Sequence, residues 1–158
     1  MKEEFQIASD YARIMKIRFE NAFSYIEHLE EDCQDFLIPK LTLQPLVENS
    51  FQHGVRSKEQ FGEIAVEAKL EKGRLHLKIS DNGDGVPDEV LEELSSAREP
   101  ERGKSLGLRG TIERLRLLYE EEFSYEIKNR QGSEIHLYIG LTGIKEKAHE
   151  QDESDDRR

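Results

Sequence analysis

A single cysteine, Cys33, in 158 residues leaves no partner for an internal disulfide, and no Cys/His spacing suggests zinc. A reducing cytoplasm fits that scarcity. Long apolar runs are missing as well. The longest are four or five residues, as in Phe36-Leu37-Ile38-Pro39, against about 20 for a bilayer-spanning helix. No basic stretch followed by an apolar one opens the chain, so no secretory leader is visible. Positive charge is also in short supply: 23 Lys+Arg against 34 Asp+Glu give a formal net charge of −11. That excludes the broad basic face needed for general nucleic-acid binding. It leaves room for a small anion held by local backbone dipoles. The chain is polar, 35% hydrophobic and 36% charged, of single-domain size and long enough to bury a core.

No internal repeat organises it. Residues 3–19 space Phe5, Ala8, Tyr11 or Ala12, Met15 and Phe19 as a helix. Residues 22–38 fit strand and helix equally by period. A second helix is expected over 42–56, with Thr42 as cap and Pro45 in the first turn, where its missing N–H is tolerated. Its apolar stripe is Leu43, Leu46, Val47, Ser50, Phe51 and Gly54. Two strands follow with period two, Ile64 to Leu70 and Leu75 to Ile79, joined by Glu71-Lys72-Gly73. Asp88 opens a short helix with Val90, Leu91 and Leu94, and residues 98–106 read as a charged, mobile loop. A further helix carries Leu108, Ile112, Leu115 and Tyr119. A closing hairpin pairs Tyr125 and Ile127 with Ile135, Leu137 and Ile139 across Arg130-Gln131-Gly132. The pattern is α+β: a two-layer sandwich of a mixed, mostly antiparallel sheet covered on one face by helices. Acidic residues crowd the end of the chain, from Glu146 to Asp156, so 144–158 reads as a disordered acidic tail.

Three segments carry chemistry. Asp81 continues the parity of Leu75, Leu77 and Ile79, which turns its carboxylate towards the apolar side, where it needs a donor. Asn82-Gly83-Asp84-Gly85 follows, and its glycines allow a sharp turn and space for a flat ligand bearing an exocyclic amine. The same residues also suit a plain hairpin turn. A calcium loop fits worse, because Gly83 and Gly85 stand where such a loop needs side-chain oxygens. On the second helix Asn49, His53 and Arg56 recur at i, i+4 and i+7, a stripe able to hold a metal and phosphate oxygens, or simply a solvated face. Glu48 lies about 100° round the helix from Asn49, as a candidate base or a surface acid. Third, Gly103-Lys104-Ser105-Leu106-Gly107-Leu108-Arg109 enters a helix, whose free N–H groups attract phosphate.

In this order the segments resemble the ATP-binding (Bergerat) fold shared by histidine kinases, gyrase, MutL and the ninety-kilodalton heat-shock chaperone. Leu43 to Gly54 looks like the N box, Asp81 to Pro87 like the DxGxG box, and 103–108 like the second glycine box. The wording Gln44-Pro45-Leu46-Val47-Glu48-Asn49 is similar to the internal-region family of sensor histidine kinases. The resemblance runs from about residue 10 to 141 and takes in Ile17-Arg18-Phe19, Ile38-Pro39 and Gly132-Ser133. It implies that Asp81 accepts from adenine, with Gly83 and Gly85 shaping the pocket and Ser133 nearby. It implies Mg²⁺ on Asn49 and phosphate contact by His53. The implied ATP lid is 88–106, with Gly103, Lys104, Gly107 and Leu108 along the triphosphate, and Glu48 and Asn49 are the implied catalytic pair. By the same likeness residues 1–17 end a dimerisation helix and 18–143 form the catalytic domain.

The sequence departs from that family at three places. Ser105 replaces a glycine, and Pro45 stands where ATP-hydrolysing relatives place a carboxylate. None of His28, His53, His76, His136 and His149 sits in a phospho-acceptor motif. The expectation is therefore the catalytic domain of a two-component kinase that phosphorylates a histidine on its own upstream helical segment. A homodimeric whole protein, a response regulator as partner and a cytoplasmic position without membrane contact complete it. A nucleotide-responsive module without kinase activity, or an ATPase of the gyrase or MutL kind, is the alternative.

Overall fold

Alternating apolar residues build the sheet, and helical stripes cover it. The computed structural model describes residues 1–55, 61–95 and 107–140. Along the chain run α1 (Lys2–Arg18), β1 (Phe23–Leu29), α2 (Leu43–Asn49), β2 (Gly62–Glu71), β3 (Arg74–Asp81), α3 (Asp88–Ser95), α4 (Leu108–Tyr119), β4 (Phe123–Asn129) and β5 (Ser133–Gly140). The five strands lie in the order β1-β2-β3-β5-β4. Only β1 and β2 run parallel, and the other three pairs are antiparallel. This is the mixed, mostly antiparallel sheet expected from the sequence.

Period two sends Ile64, Val66 and Ala68 of β2, Leu75, Leu77 and Ile79 of β3, and Ile135, Leu137 and Ile139 of β5 to one face, all fully or almost fully buried. Against them pack Leu43, Leu46 and Val47 of α2 and Leu108, Ile112 and Leu115 of α4. Helix α1, expected to end a separate dimerisation segment, shares this core through Phe5, Ala8 and Ala12. The ambiguous stretch 22–38 resolves into β1 and a short 3₁₀ turn, Glu31–Cys33. Its period is obscured because Ile26, on the outer side, is exposed, while Glu27 falls on the parity of the buried Phe23.

The second helix differs from the expected 42–56. Its α-helical part ends at Asn49, and Ser50–Val55 continue as a π-turn. Phe51 within that turn meets Phe19 and Phe23 at ring separations of 5.0 and 5.2 Å. Thr42 does not cap the helix with its side chain. Its hydroxyl donates to Pro39 O at 2.6 Å, and the N–H groups of Leu41, Thr42 and Leu43 donate to the Glu4 carboxylate of α1. A carboxylate held by three N–H groups at a helix start outcompetes a hydroxyl that has a nearer carbonyl. Residues 98–106 and the tail 144–158 lie outside the described residues.

The sheet face opposite the packed helices holds a histidine pair. Nε2 of His76 and Nδ1 of His136 are 3.0 Å apart, and Tyr138 stacks on His76 at 4.5 Å. Either tautomer lets one ring donate and the other accept, but two imidazolium rings would set N–H against N–H. Burial, then the charge of His136, lowers the His76 pKa, while Glu71 opposes that shift. With the folded value below the unfolded one, stability is present at neutral pH and is lost as pH falls through the ordinary histidine range near about 6.5. The expected outcome is a smaller fall in Tm between pH 7.5 and 5.5 for His76→Gln than for the wild type. Parallel curves for the two proteins would remove the pair from this role.

Candidate functional site

Four elements converge where β3 ends. Asp81, the last residue of β3, keeps the inward parity of Leu77 and Ile79, and a cavity of about 50 Å³ opens beside it. Asn49, His53, Asp81, Gly85, Val86, Pro87, Val90, Leu108 and Ser133 line it. The sequence motifs around Asn49, Asp81 and Gly107 thus meet at one place, with Ser133 contributed by β5. One carboxylate stands among the side chains of Val86, Val90 and Leu108.

Donors answer that carboxylate. Oδ2 of Asp81 accepts the Ser133 hydroxyl at 2.6 Å, and Oδ1 accepts the Gly83 N–H at 2.9 Å. The Ser133 N–H adds a longer contact to Oδ1 at 3.4 Å. A carboxylate has about four acceptor sites, so capacity for a further N–H donor remains. Asp81 is thereby held in one orientation beside the cavity.

Glycine is required at two positions around it. At Gly132, with φ at 120°, a Cβ would stand 1.9 Å from the backbone oxygen of Asp81. At Gly85, with φ at 86°, it would meet Asn129 Cγ at 2.9 Å. Asn129, unremarkable in the sequence beside a turn, holds the loop below. Its Oδ1 accepts from Val86 N at 2.9 Å and its Nδ2 donates to Val86 O at 2.8 Å. One amide side chain thus acts as a strand partner for Val86. Asparagine at a strand end is the available signal, and it is too common to point here without the fold.

Opposite Asp81, α2 presents Asn49 and the π-turn presents His53. Glu48 points elsewhere: it does not line the cavity, and its Oε1 accepts from Gln52 Nε2 at 3.0 Å. On α1 the Tyr11 hydroxyl has its pKa raised, first by burial and then by the charge of Glu48, which places that carboxylate on the α1 side of α2. Glu48, unlike Asn49, is thus not among the residues that line the cavity. The cause is the step of about 100° between successive helix residues.

Gly107 precedes α4, and a Cβ there would lie 3.7 Å from Asn49 Oδ1. Having no side chain, Gly107 cannot cap the first turn, whose initial residue Leu108 lines the cavity. Arg109, the last residue of the segment 103–109, forms ion pairs with Glu113 at 2.7 Å and Glu93 at 3.0 Å. The first half of the expected lid is also anchored. Leu94 of α3 is buried, and its carbonyl accepts from Arg116 at 3.3 Å and from the Tyr125 hydroxyl at 3.2 Å. Arg56, Gly103, Lys104 and Ser105 lie outside the described residues.

A family model described as histidine kinase-, DNA gyrase B- and HSP90-like ATPase matches residues 35–143. The chain is 33% identical over 142 residues to the putative uncharacterized protein YwpD of Bacillus subtilis, covering 89% of this chain and 49% of that protein. It is 30% identical over 141 residues to the sensor histidine kinase YesM of the same species, covering 88% and 23%. The chain therefore spans about half or less of the length of these relatives. Among solved structures the catalytic domain of histidine kinase ThkA superimposes with a TM-score of 0.61 at 16% identity, covering 92% of this chain and 96% of that one. ThkA in complex with the response regulator protein TrrA superimposes at 0.52, with 15% identity, covering 87% and 41%. At these identities the structural likeness speaks for the fold.

The glycine geometry separates two substitutions. Gly73, in the open β2–β3 turn, has nothing within 4 Å of a Cβ, so Gly73→Ala should cost only the positive-φ penalty, about 1 kcal/mol. Gly132→Ala must displace the Asp81 backbone and is expected to cost roughly 3 kcal/mol or more. Urea unfolding of both variants measures the difference, and equal losses would contradict the packing described.

Proposed function

The chain belongs to the family of histidine kinase-, DNA gyrase B- and HSP90-like ATPases, and from that premise we propose that it is the ATP-binding catalytic domain of a sensor histidine kinase. The observation that carries the proposal is the inward Asp81 carboxylate, which shares one cavity with Asn49 and His53. Asp81 accepts the exocyclic N–H of adenine while Ser133 and Gly83 hold it in direction. Val86, Val90 and Leu108 provide apolar walls for a flat base. Asn49 offers its amide oxygen to Mg²⁺, and His53, Gly107 and the first turn of α4 face the phosphates. Bound Mg-ATP supplies the transferable phosphoryl group. The chain's part is positioning and charge compensation, which dominate such transfers.

Kinase chemistry is supported over water-activated hydrolysis by two features. Pro45 occupies the position of the hydrolytic carboxylate, and Glu48 faces α1. The acceptor histidine comes from a helical segment upstream of α1. Among the described histidines, His76 and His136 are buried together on the sheet face away from the cavity, and His28 lies on β1. The upstream segment dimerises the whole protein, and a response regulator receives the phosphoryl group, as the complex of ThkA with TrrA suggests by analogy. No helix among the described residues is long and apolar enough to cross a membrane. The whole protein is a membrane-bound sensor with this domain on its cytoplasmic side.

A thermal-shift titration with Mg-ATP tests the site. Saturation at about 100 times Kd adds about 2.7 kcal/mol to the wild type. Asp81→Asn, measured against its own unliganded baseline, is expected to lose most of that shift. Equal shifts in both proteins would remove adenine from Asp81.

A further inference from the structure

At the end of α2 remote from the cavity, the corner 39–43 is gripped from both sides by two charged side chains. On the N–H side stands Glu4 of α1. Its Oε1 accepts from Leu41 N at 2.8 Å, and its Oε2 accepts from Thr42 N at 2.8 Å and Leu43 N at 3.0 Å. On the carbonyl side stands Arg114 of α4. Its guanidinium donates to Lys40 O at 3.0 Å, to Leu41 O at 2.7 Å and to Thr42 Oγ1 at 3.4 Å. Leu41 itself is left-handed, with φ at 59°, a conformation that persists only when its surroundings over-determine it.

The grip joins α1 to α2 and α4, the two helices whose ends Asn49 and Leu108 line the cavity. Glu4 is 4% exposed, and a buried carboxylate that loses its donors must move or drag them with it. The body of α2 transmits position, because Leu43, Leu46 and Val47 are fully buried between this corner and Asn49. Arg114 lies seven residues after Gly107, about 10 Å along α4, and the start of α4 sits against Asn49. Fixing α2 and α4 to one corner therefore fixes the separation of Asn49 from the first turn of α4. Asn49 is also the last α-helical residue before the π-turn.

We propose that Glu4 and Arg114 are positioning residues for the nucleotide site, setting through the 39–43 corner where Asn49 stands relative to the start of α4. The inference rests on the nucleotide reading of the cavity and extends it to α1, whose register becomes a determinant of affinity. A cap that merely stabilised α2 would leave the cavity of the folded protein unchanged.

Glu4→Gln and Arg114→Lys keep size and polarity while breaking the set of hydrogen bonds. In Glu4→Gln the side-chain amide offers only one acceptor oxygen to three N–H groups. In the full chain, isothermal titration with Mg-ATP under conditions where each variant is folded by circular dichroism should show about five- to tenfold weaker binding. The Asn49 side-chain amide resonance should shift in both variants. Gly73→Ala serves as control, since it lowers stability at the opposite end of β3 and is expected to leave affinity unchanged. If Glu4→Gln does not fold, Arg114→Lys decides alone. Wild-type affinity and an unmoved Asn49 resonance in the folded variants would overturn the inference and leave the nucleotide site standing. Absence of Mg-ATP binding by the wild type would instead remove the nucleotide reading itself.

Discussion

A carboxylate turned towards the apolar side of a sheet is the constraint from which the site follows. Asp81 sits one pleat beyond Leu77 and Ile79, and no charge is tolerated there without donors. The Ser133 hydroxyl and the Gly83 N–H supply them. Because Ser133 opens β5 and β5 pairs with β3, the hairpin turn before it is pressed against the Asp81 backbone, and only glycine fits at 132. The loop after Asp81 must then double back. Gly85 permits the bend and Asn129 holds it. A cavity lined from β3, β5, α2 and the start of α4 is the consequence of satisfying one charge.

Much of this can be read from residue order, and the reason is local. The strands 64–70, 75–79 and 135–139 announce themselves by period two, and Asp81 is found by counting on from Ile79. Asn49 and His53 share a helical face, and Gly107 precedes an amphipathic helix. Each signal lies within a dozen residues of itself. What escapes is non-local. Glu4 meets its partners 37 to 39 residues away, and Arg114 meets its own 72 to 74 residues away. Neither pairing has a period, so Thr42 is the natural cap to expect. Glu48 shows the complementary limit. Helical geometry sets its angle from Asn49, but only the packing of α1 decides that its side of α2 is the closed one. The π-turn at Ser50–Val55 escapes for the same reason, since its residues read as an ordinary continuation of the helix.

The two faces of the sheet divide the titratable groups by role. One face carries Asp81 beside aliphatic walls. The other carries His76, His136 and Tyr138 stacked in a row, flanked by Glu71, Lys78 and Glu134. The lowered pKa of His76 belongs to the side away from the cavity, so the acid-sensitive group and Asp81 occupy separate surfaces of one sheet.

The pairing of β1 with β2 bears on where this folding unit ends. Residues 23–29 run parallel to 62–68, yet they precede the segment 35–143 matched by the family model. A fragment trimmed to that segment would strip the backbone partners from β2 and lay open an apolar edge beside Val66 and Ala68, an invitation to intermolecular strand addition. It would also discard the carboxylate that caps α2. The segment matched by the family model therefore leaves out α1 and β1, which pack into the same core.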